Sequence, residues 1–206
     1  MPGIELASLS ARQQQLAEKA RQALALGQFE YALEATGEVL RSVPGCVAVR
    51  RLQREAQLAW SRRHGSIFRR ARARVGLLLL WLRHPPAPAD RLAAAEGLLA
   101  LDPAQCGALK VFAAAALELK WPETAAFMRE AVRQQCPGDR ANAIALGEAW
   151  IGAGRPVEAL TLAEEILREA PNDGPALELL RHASIAQTVA EGRWESPGTF
   201  RDKLKR

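Results

Sequence analysis

The sequence predicts an all-α solenoid of helical hairpins. Three prolines, Pro103, Pro137 and Pro171, are separated by equal steps of 34 residues, and each ends a segment that reads as two amphipathic helices joined by a short break. A period of this length is typical of helical-hairpin arrays. The composition agrees, because 49% of the 206 residues are hydrophobic and only 5% are aromatic. Alanine and leucine dominate, which favours helices over strands.

Stop and start signals between the apolar stretches set the predicted helix boundaries. Each break combines Gly or Pro with a residue that begins the next helix, and Pro122, Pro156 and Pro175 fit first helical turns. The predicted helices span residues 11–26, 29–43, 47–63, 66–83, 89–101, 105–119, 122–136, 140–153, 156–170 and 175–191.

One domain over residues 11–191 accounts for these helices, between a flexible N-terminus at 1–10 and a tail at 192–206. A chain of this length buries roughly 70% of its unfolded surface, enough for an independent fold. Pro44 and Pro103 are 59 residues apart, so an extra segment interrupts the array. The sequence around Gly65 fits one long kinked helix or two separate helices over 47–83. The predicted parts are repeats at about 13–46, 72–105, 106–139 and 140–173, an inserted basic segment at 47–71 and a capping helix at 175–191.

The last full repeat carries a recognisable set of residues in order. They are Ala143, Leu146, Gly147, Trp150, Gly154, Ala159, Ala163 and Pro171. In this order and spacing the chain resembles the tetratricopeptide repeat (TPR) family, in particular a bacterial member, over about residues 13–191. Small residues at the crossing point, here Gly147 facing Ala159, let paired helices approach closely. Arg91 replaces the small residue of one earlier repeat, which puts the packing of that repeat in doubt.

The resemblance implies a non-catalytic scaffold that binds a peptide or helix of a partner protein on the concave face of the solenoid. The corresponding groove positions are Gln14, Ala17, Arg21, Ala73, Gly76, Leu80, Arg83, Gly107, Lys110, Ala114, Ala141, Ile144 and Glu148. They suit an apolar helix or extended peptide, with Arg21, Arg83, Lys110 and Glu148 as candidate polar contacts. TPR proteins that bind acidic chaperone tails use Asn, Lys and Arg there. We therefore expect no such carboxylate clamp. The partner, its pathway and the oligomeric state remain open.

The segment from Arg50 to Arg74 is strongly basic. Its nine arginines and single acid, Glu55, give a local charge of +8 in a chain whose net charge is +5. The solvated faces of two helices are the simplest interpretation, and an acidic protein partner is another. The alternative function is a nucleic-acid-associated factor that uses segment 50–74. Its basic patch would comprise Arg62, Arg63, Arg69, Arg70, Arg72 and Arg74.

A membrane-surface role is a further reading of the same region, because the apolar run VGLLLLWL at 75–82 follows the arginines. Eight residues are too few for a span, which needs about 20. The run also coincides with the first helix of a repeat. Packing in the core is therefore the preferred account of these residues.

No catalytic, metal or cofactor site is predicted. The three histidines, His64, His84 and His182, lack a second ligand at helical spacing. The three cysteines form no CxxC pair, and the N-terminus does not read as a secretory signal, so we expect small unpaired cysteines in a reducing cytoplasm. They are Cys46, Cys106 and Cys136.

The tail at 192–206 differs from the repeats. Trp194 and Phe200 lie in a polar, charged stretch too short for its own core. The tail resembles the ends of some bacterial TPR proteins, a likeness that implies no activity. Either the two aromatic residues fold back onto the last helix, or the tail is a linear docking motif.

Overall fold

The computed structural model describes residues 6–83, 85 and 87–192. This part of the chain is all-α, and a short 3₁₀ helix, Leu6–Ser8, precedes ten α-helices. The helices are α1 (Ala11–Ala25), α2 (Phe29–Ser42), α3 (Val47–His64), α4 (Ile67–Arg83), α5 (Pro88–Leu101), α6 (Cys106–Glu118), α7 (Pro122–Gln135), α8 (Arg140–Gly152), α9 (Pro156–Glu169) and α10 (Gly174–Gly192). The all-α prediction is confirmed, and each helix boundary lies within one residue of its predicted position.

The helices group into two compact units, which divide between Gly138 and Asp139. In the first unit, α2 packs against α1 and α3, α5 packs against α4 and α6, and α6 packs against α7. In the second unit, α8, α9 and α10 all pack against one another. The prediction of a single domain over residues 11–191 stays a prediction.

Three hairpins turn through the same backbone geometry. The turn residues Gly27, Lys120 and Gly154 have positive φ angles of 73°, 64° and 74°. In each turn the next residue's N–H reaches back five positions to a helix carbonyl: Gln28 N to Ala23 O at 2.8 Å, Trp121 N to Ala116 O at 2.9 Å and Arg155 N to Trp150 O at 2.8 Å. This is the bond that closes a helix at a left-handed residue. Glycine suits that conformation, whereas Lys120 adopts it at a cost.

Small side chains occupy the crossing points, as the repeat pattern predicts. Ala113 of α6 and Ala125 of α7 are both fully buried. Gly147 of α8 lies against α10: a Cβ added there would be 2.5 Å from Cδ2 of Leu179 in α10. The glycine thus makes room for Leu179, a partner that the sequence pattern had not indicated beside the expected Ala159.

Residues 47–83 form two helices, which settles one alternative left open by the sequence. The backbone between α3 and α4 is extended at Gly65, with φ −65° and ψ 130°. A Cβ at Gly65 would collide with the carbonyl oxygen of Ser61. The glycine therefore lets the chain leave α3 directly after its last turn.

The expectation that VGLLLLWL packs in the core is wrong. Five of its large side chains are between 46% and 72% exposed: Val75, Leu78, Leu79, Trp81 and Leu82. Within α4 only Ala73 is buried. The run is apolar on every side of the helix, but α4 needs only one side to pack against its neighbours. The sequence could not show that the other side faces solvent.

The prediction of unpaired cysteines is wrong for two of the three. A disulfide joins Cys106, at the start of α6, to Cys136, just after α7. Antiparallel packing of the two helices brings these ends together although they are 30 residues apart in sequence. Cys46 is buried and free. Because disulfides are rare in the cytosol, the cysteines no longer support a cytoplasmic location, which stays a prediction.

The described residues contain no cluster of His, Cys, Asp and Glu able to hold a metal ion. None of the described helices is long and apolar enough to cross a membrane.

Some predictions fall on residues that the structure does not describe. His84 and the tail residues 193–206, with Trp194 and Phe200, lie outside the described ranges, as do residues 1–5. Of the predicted flexible N-terminus, residues 6–10 include a 3₁₀ helix, the buried Leu9 and Ser10, whose hydroxyl caps α1.

Candidate functional site

Two arginines of the basic segment are internal supports. Arg50 is only 1% exposed, and its guanidinium donates to the carbonyl oxygen of Pro44 at 2.5 Å and to Glu96 Oε1 at 2.6 Å. It also lies over the ring of Phe112, 4.6 Å from the centroid. Burial lowers the pKa of Arg50 despite the partly exposed Glu96 carboxylate beside it. Arg50 thus joins α3 to the α2–α3 turn, α5 and α6.

Arg54, one turn later, is also buried, but no carboxylate among the described residues offsets the burial of its charge. Its guanidinium donates to the carbonyl oxygen of Pro103 at 3.0 Å. Desolvation lowers its pKa to about 10. Neither Arg50 nor Arg54 can contact an external phosphate, so the charge available at the surface is smaller than the sequence indicates.

Three further arginines lie against aromatic rings of the same unit. Their guanidinium carbons are 4.4 to 5.2 Å from the ring centroids, a distance at which cation–π attraction operates. The pairs are Arg51 over Phe127 at 5.2 Å, Arg63 over Phe29 at 4.8 Å and Arg69 over Trp60 at 4.4 Å. Arg69 additionally donates to the carbonyl oxygen of Ala100 at 2.7 Å. These contacts hold the three guanidinium groups against the protein's own surface.

Only part of the predicted basic patch comes together. Arg62 of α3 and Arg70 and Arg74 of α4 line one cavity of about 480 Å³, whose rim also includes Asp102. Arg72 is exposed on another side of α4, while Arg63 and Arg69 take up the aromatic contacts described above.

An apolar groove lies between α4 and α6, next to the start of α5. Its volume is about 570 Å³. It is lined by Arg74, Leu77, Leu78, Leu80, Trp81, Pro85, Arg91, Gly107, Lys110, Val111 and Ala114. At one point the two walls touch: a Cβ at Gly107 would collide with Leu77. The groove is therefore closed at this point by direct contact between α4 and α6.

Charged side chains stand at the edges of this groove. Arg91 replaces the small crossing residue of its repeat and forms an ion pair with Glu118 of α6. Arg74 and Lys110 contribute two further positive charges to the lining. The groove thus combines apolar walls with a mainly positive rim.

The predicted partner-binding residues are dispersed. Lys110 lines the groove, and Arg83 is exposed at the end of α4. Arg21 pairs with Glu18 on α1 at 2.8 Å, and this hydrogen-bonded guanidinium holds the pKa of Glu18 below its ordinary value. Glu148 belongs to the second unit, where it lies 3.0 Å from Nδ1 of His182.

Sequence reasoning found part of the groove and missed part. Four of the predicted groove positions line it: Leu80, Gly107, Lys110 and Ala114. It missed the other seven lining residues, among them Trp81 and Val111. For Val111 the signal was present, because it lies four residues after Gly107 on the same helix face.

Comparisons with known proteins give a likeness of fold. No protein-family model matches the chain, and no curated protein matches it. Among the solved structures to which it is similar, three have 12 to 20% identity and TM-scores of 0.38 to 0.44, values too low to support an inference about function.

The first is a tetratricopeptide repeat protein from Parabacteroides merdae, with 16% identity and a TM-score of 0.44. Here 90% of the chain is covered, and it spans about 62% of the length of that protein. TTC0263, a thermophilic TPR protein in Thermus thermophilus, has 20% identity, a TM-score of 0.38, and coverage of 88% of this chain and 84% of its own. MamA has 12% identity and a TM-score of 0.39, and the match covers 93% of this chain and 100% of MamA. The helical hairpins and their 34-residue spacing show an all-α helical repeat that resembles TPR proteins in fold.

Proposed function

We propose that the protein is a non-catalytic scaffold whose groove between α4 and α6 binds an apolar helix or extended peptide of a partner protein. The observation that carries this proposal is the groove itself: a preformed, largely apolar cavity of about 570 Å³. Small-molecule pockets typically measure about 300 to 1,000 Å³ and are mostly apolar with a few polar groups, and the groove has this size and character.

The lining offers the side chains that such binding requires. Trp81 is 72% exposed and Leu78 is 57% exposed, so both have apolar area to bury against a partner. A few anchors of this type, above all Trp, supply most of the energy of a protein interface. An amphipathic helix would place residues i, i+3 or i+4, and i+7 along the groove.

The charges at the rim restrict the partner. Arg74 and Lys110 favour an acidic residue beside the apolar anchors. The scaffold therefore selects a mainly apolar segment with acidic flanks. The expectation that the chain has no carboxylate clamp for chaperone tails stays a prediction.

The test uses a set of fluorescent helical peptides with leucines at i, i+4 and i+7 and glutamates at the flanks. Polarisation titrations would compare the full chain with Val111→Arg, which places a long charged side chain in the groove, and with Val157→Arg on the exposed surface of α9. We expect at least a tenfold loss of affinity for Val111→Arg alone. Equal affinities for all three proteins would refute the groove as the binding site.

A second test concerns the rim. Lys110→Glu should lower the affinity for peptides with glutamate flanks. The affinity for peptides with lysine flanks should stay the same or increase. Peptide binding that is indifferent to this change would remove Lys110 from the site.

The alternative, binding of nucleic acid, rests on the cavity where Arg62, Arg70 and Arg74 meet. Three phosphate contacts would make duplex DNA binding fall by a factor of about 40 between 50 and 200 mM salt. Arg70→Gln combined with Arg74→Gln should remove most of that salt dependence. Absence of binding at 50 mM salt would dismiss this alternative.

A further inference from the structure

One face of α4 is apolar and open to solvent. At 100° per residue, Phe68, Val75, Leu79 and Leu82 fall on one side of this helix. Phe68 is 86% exposed, and Ile67 near the edge of the same face is 81% exposed. The opposite side, with Ala73, packs inward. The whole face is about 25 Å long, since 17 residues rise about 1.5 Å each.

Arginines border this apolar face on both sides. Arg74 lies along one edge, and Arg72 and Arg83 lie along the other, while Arg70 lies farther round the helix beyond Arg74. The helix contains five arginines and no acidic residue. Trp81 stands between the apolar face and the groove, with its ring exposed. Apolar side chains in the middle and long cationic side chains along both edges are typical of helices that lie flat in a lipid interface.

We propose that this face of α4 docks on an anionic lipid surface. The apolar side chains would enter the boundary between headgroups and acyl chains, and the arginines would reach up to the phosphates. Trp81 would lie at headgroup depth, where indole rings concentrate. Two signals, apolar area and positive charge, act together, which is what reversible peripheral attachment requires.

The positive charge of α4 favours an anionic lipid surface over a second copy of the protein. A second copy of α4 would bring its own Arg72, Arg74 and Arg83 against the same edges, and like charges in an interface are unfavourable. Trp81 and Arg74 also line the groove, but the four side chains at the centre of the apolar face do not. Lipid docking therefore does not depend on the proposed peptide binding.

The experiment is flotation of the full chain with vesicles of phosphatidylcholine, with and without about 30% phosphatidylglycerol, a charge density that attracts basic segments. We expect at least tenfold stronger binding to the anionic vesicles and a steep decrease at high salt. The triple variant Val75→Ser, Leu79→Ser and Leu82→Ser should lose at least tenfold in binding. Its matched control is Val157→Ser, Leu177→Ser and Ile185→Ser, three exposed apolar side chains of the second unit, which should bind as the wild type does.

A second variant separates charge from packing. Arg72→Gln with Arg83→Gln leaves the apolar face intact and should reduce binding by about 25-fold, since each arginine near an anionic surface contributes a factor of about five. Arg168→Gln with Arg181→Gln makes the same charge change on residues of the second unit and should have little effect. The groove variant Val111→Arg should still float.

Several results would overturn the proposal. They are no flotation with anionic vesicles, equal flotation with neutral vesicles, or equal losses in the variants and their controls. A wild-type dimer that becomes monomeric in the triple serine variant would show that a second copy covers α4, and would overturn the proposal as well.

Discussion

Replacing Arg50 by alanine should lower the free energy of unfolding of the first unit by about 3 kcal/mol. The side chain makes two hydrogen bonds from a charged donor, to Pro44 and Glu96, each with a net contribution of about 1.5 to 3 kcal/mol. The guanidinium over Phe112 adds about 1 kcal/mol. Burial of the charge, visible in the lowered pKa of Arg50, and the return of Glu96 to water offset part of this total.

The assay is urea unfolding followed by far-ultraviolet circular dichroism, with two comparison variants. Arg51→Ala removes the neighbouring arginine of the same helix, which is exposed and contacts only the ring of Phe127 among the interactions described, and should cost less than about 1 kcal/mol. Arg50→Met keeps most of the volume but no hydrogen bond, and should fall between the two. If Arg50→Ala costs no more than Arg51→Ala, the interpretation of Arg50 as an internal support is wrong.

Three other perturbations follow from the fold. Lys120→Gly should stabilise the protein by about 0.5 to 1 kcal/mol and Gly154→Lys, at the equivalent turn, should destabilise it by about 1 kcal/mol, because both positions require positive φ; thermal unfolding measures both, and the same sign for the two changes would contradict the reasoning. Replacing Cys106 and Cys136 by serine should lower the free energy of unfolding by about 3.6 kcal/mol, the loop-closure value for a separation of 30 residues. Thiol titration of the denatured, unreduced wild type should find one free cysteine rather than three. For Arg54, whose folded pKa of about 10 lies below its ordinary value, the folded state releases the proton first as pH rises, so its penalty on stability declines by about 1 kcal/mol between about pH 9 and pH 11. The free energy of unfolding of Arg54→Met minus that of the wild type should therefore fall by about 1 kcal/mol over that range. A difference that stays constant would exclude this titration.

Helix boundaries could be predicted because their signals are local. Pro122 and Pro156 begin α7 and α9, and Gly27 and Gly154 end α1 and α8, each through backbone restrictions that hold wherever the residue stands. The 34-residue spacing then fixes which helices form hairpins. Such features need no knowledge of distant contacts.

The roles of the arginines and cysteines could not be predicted in this way. Arg50 is buried and Arg62 is not, although both stand in arginine pairs on the same helix. The difference arises from Glu96 and Phe112, which lie far along the chain and reach Arg50 only in the folded protein. The pairing of Cys106 with Cys136 likewise depends on the packing of α6 against α7. Part of the groove was visible for the converse reason, since the repeat pattern places Gly107, Lys110 and Ala114 on one face of a single helix.

The contacts of Arg50 also bear on how the first unit unfolds. In many repeat arrays each hairpin touches only its neighbours, so the ends fray independently. Here Arg50 connects α3 to Glu96 of α5, and the Thr124 hydroxyl of α7 donates to the carbonyl oxygen of Gly45 across 79 positions of sequence. Non-neighbouring segments are thereby coupled. Amide hydrogens of α3 and α7 should therefore exchange in one cooperative opening, at a common free energy, rather than in succession along the chain.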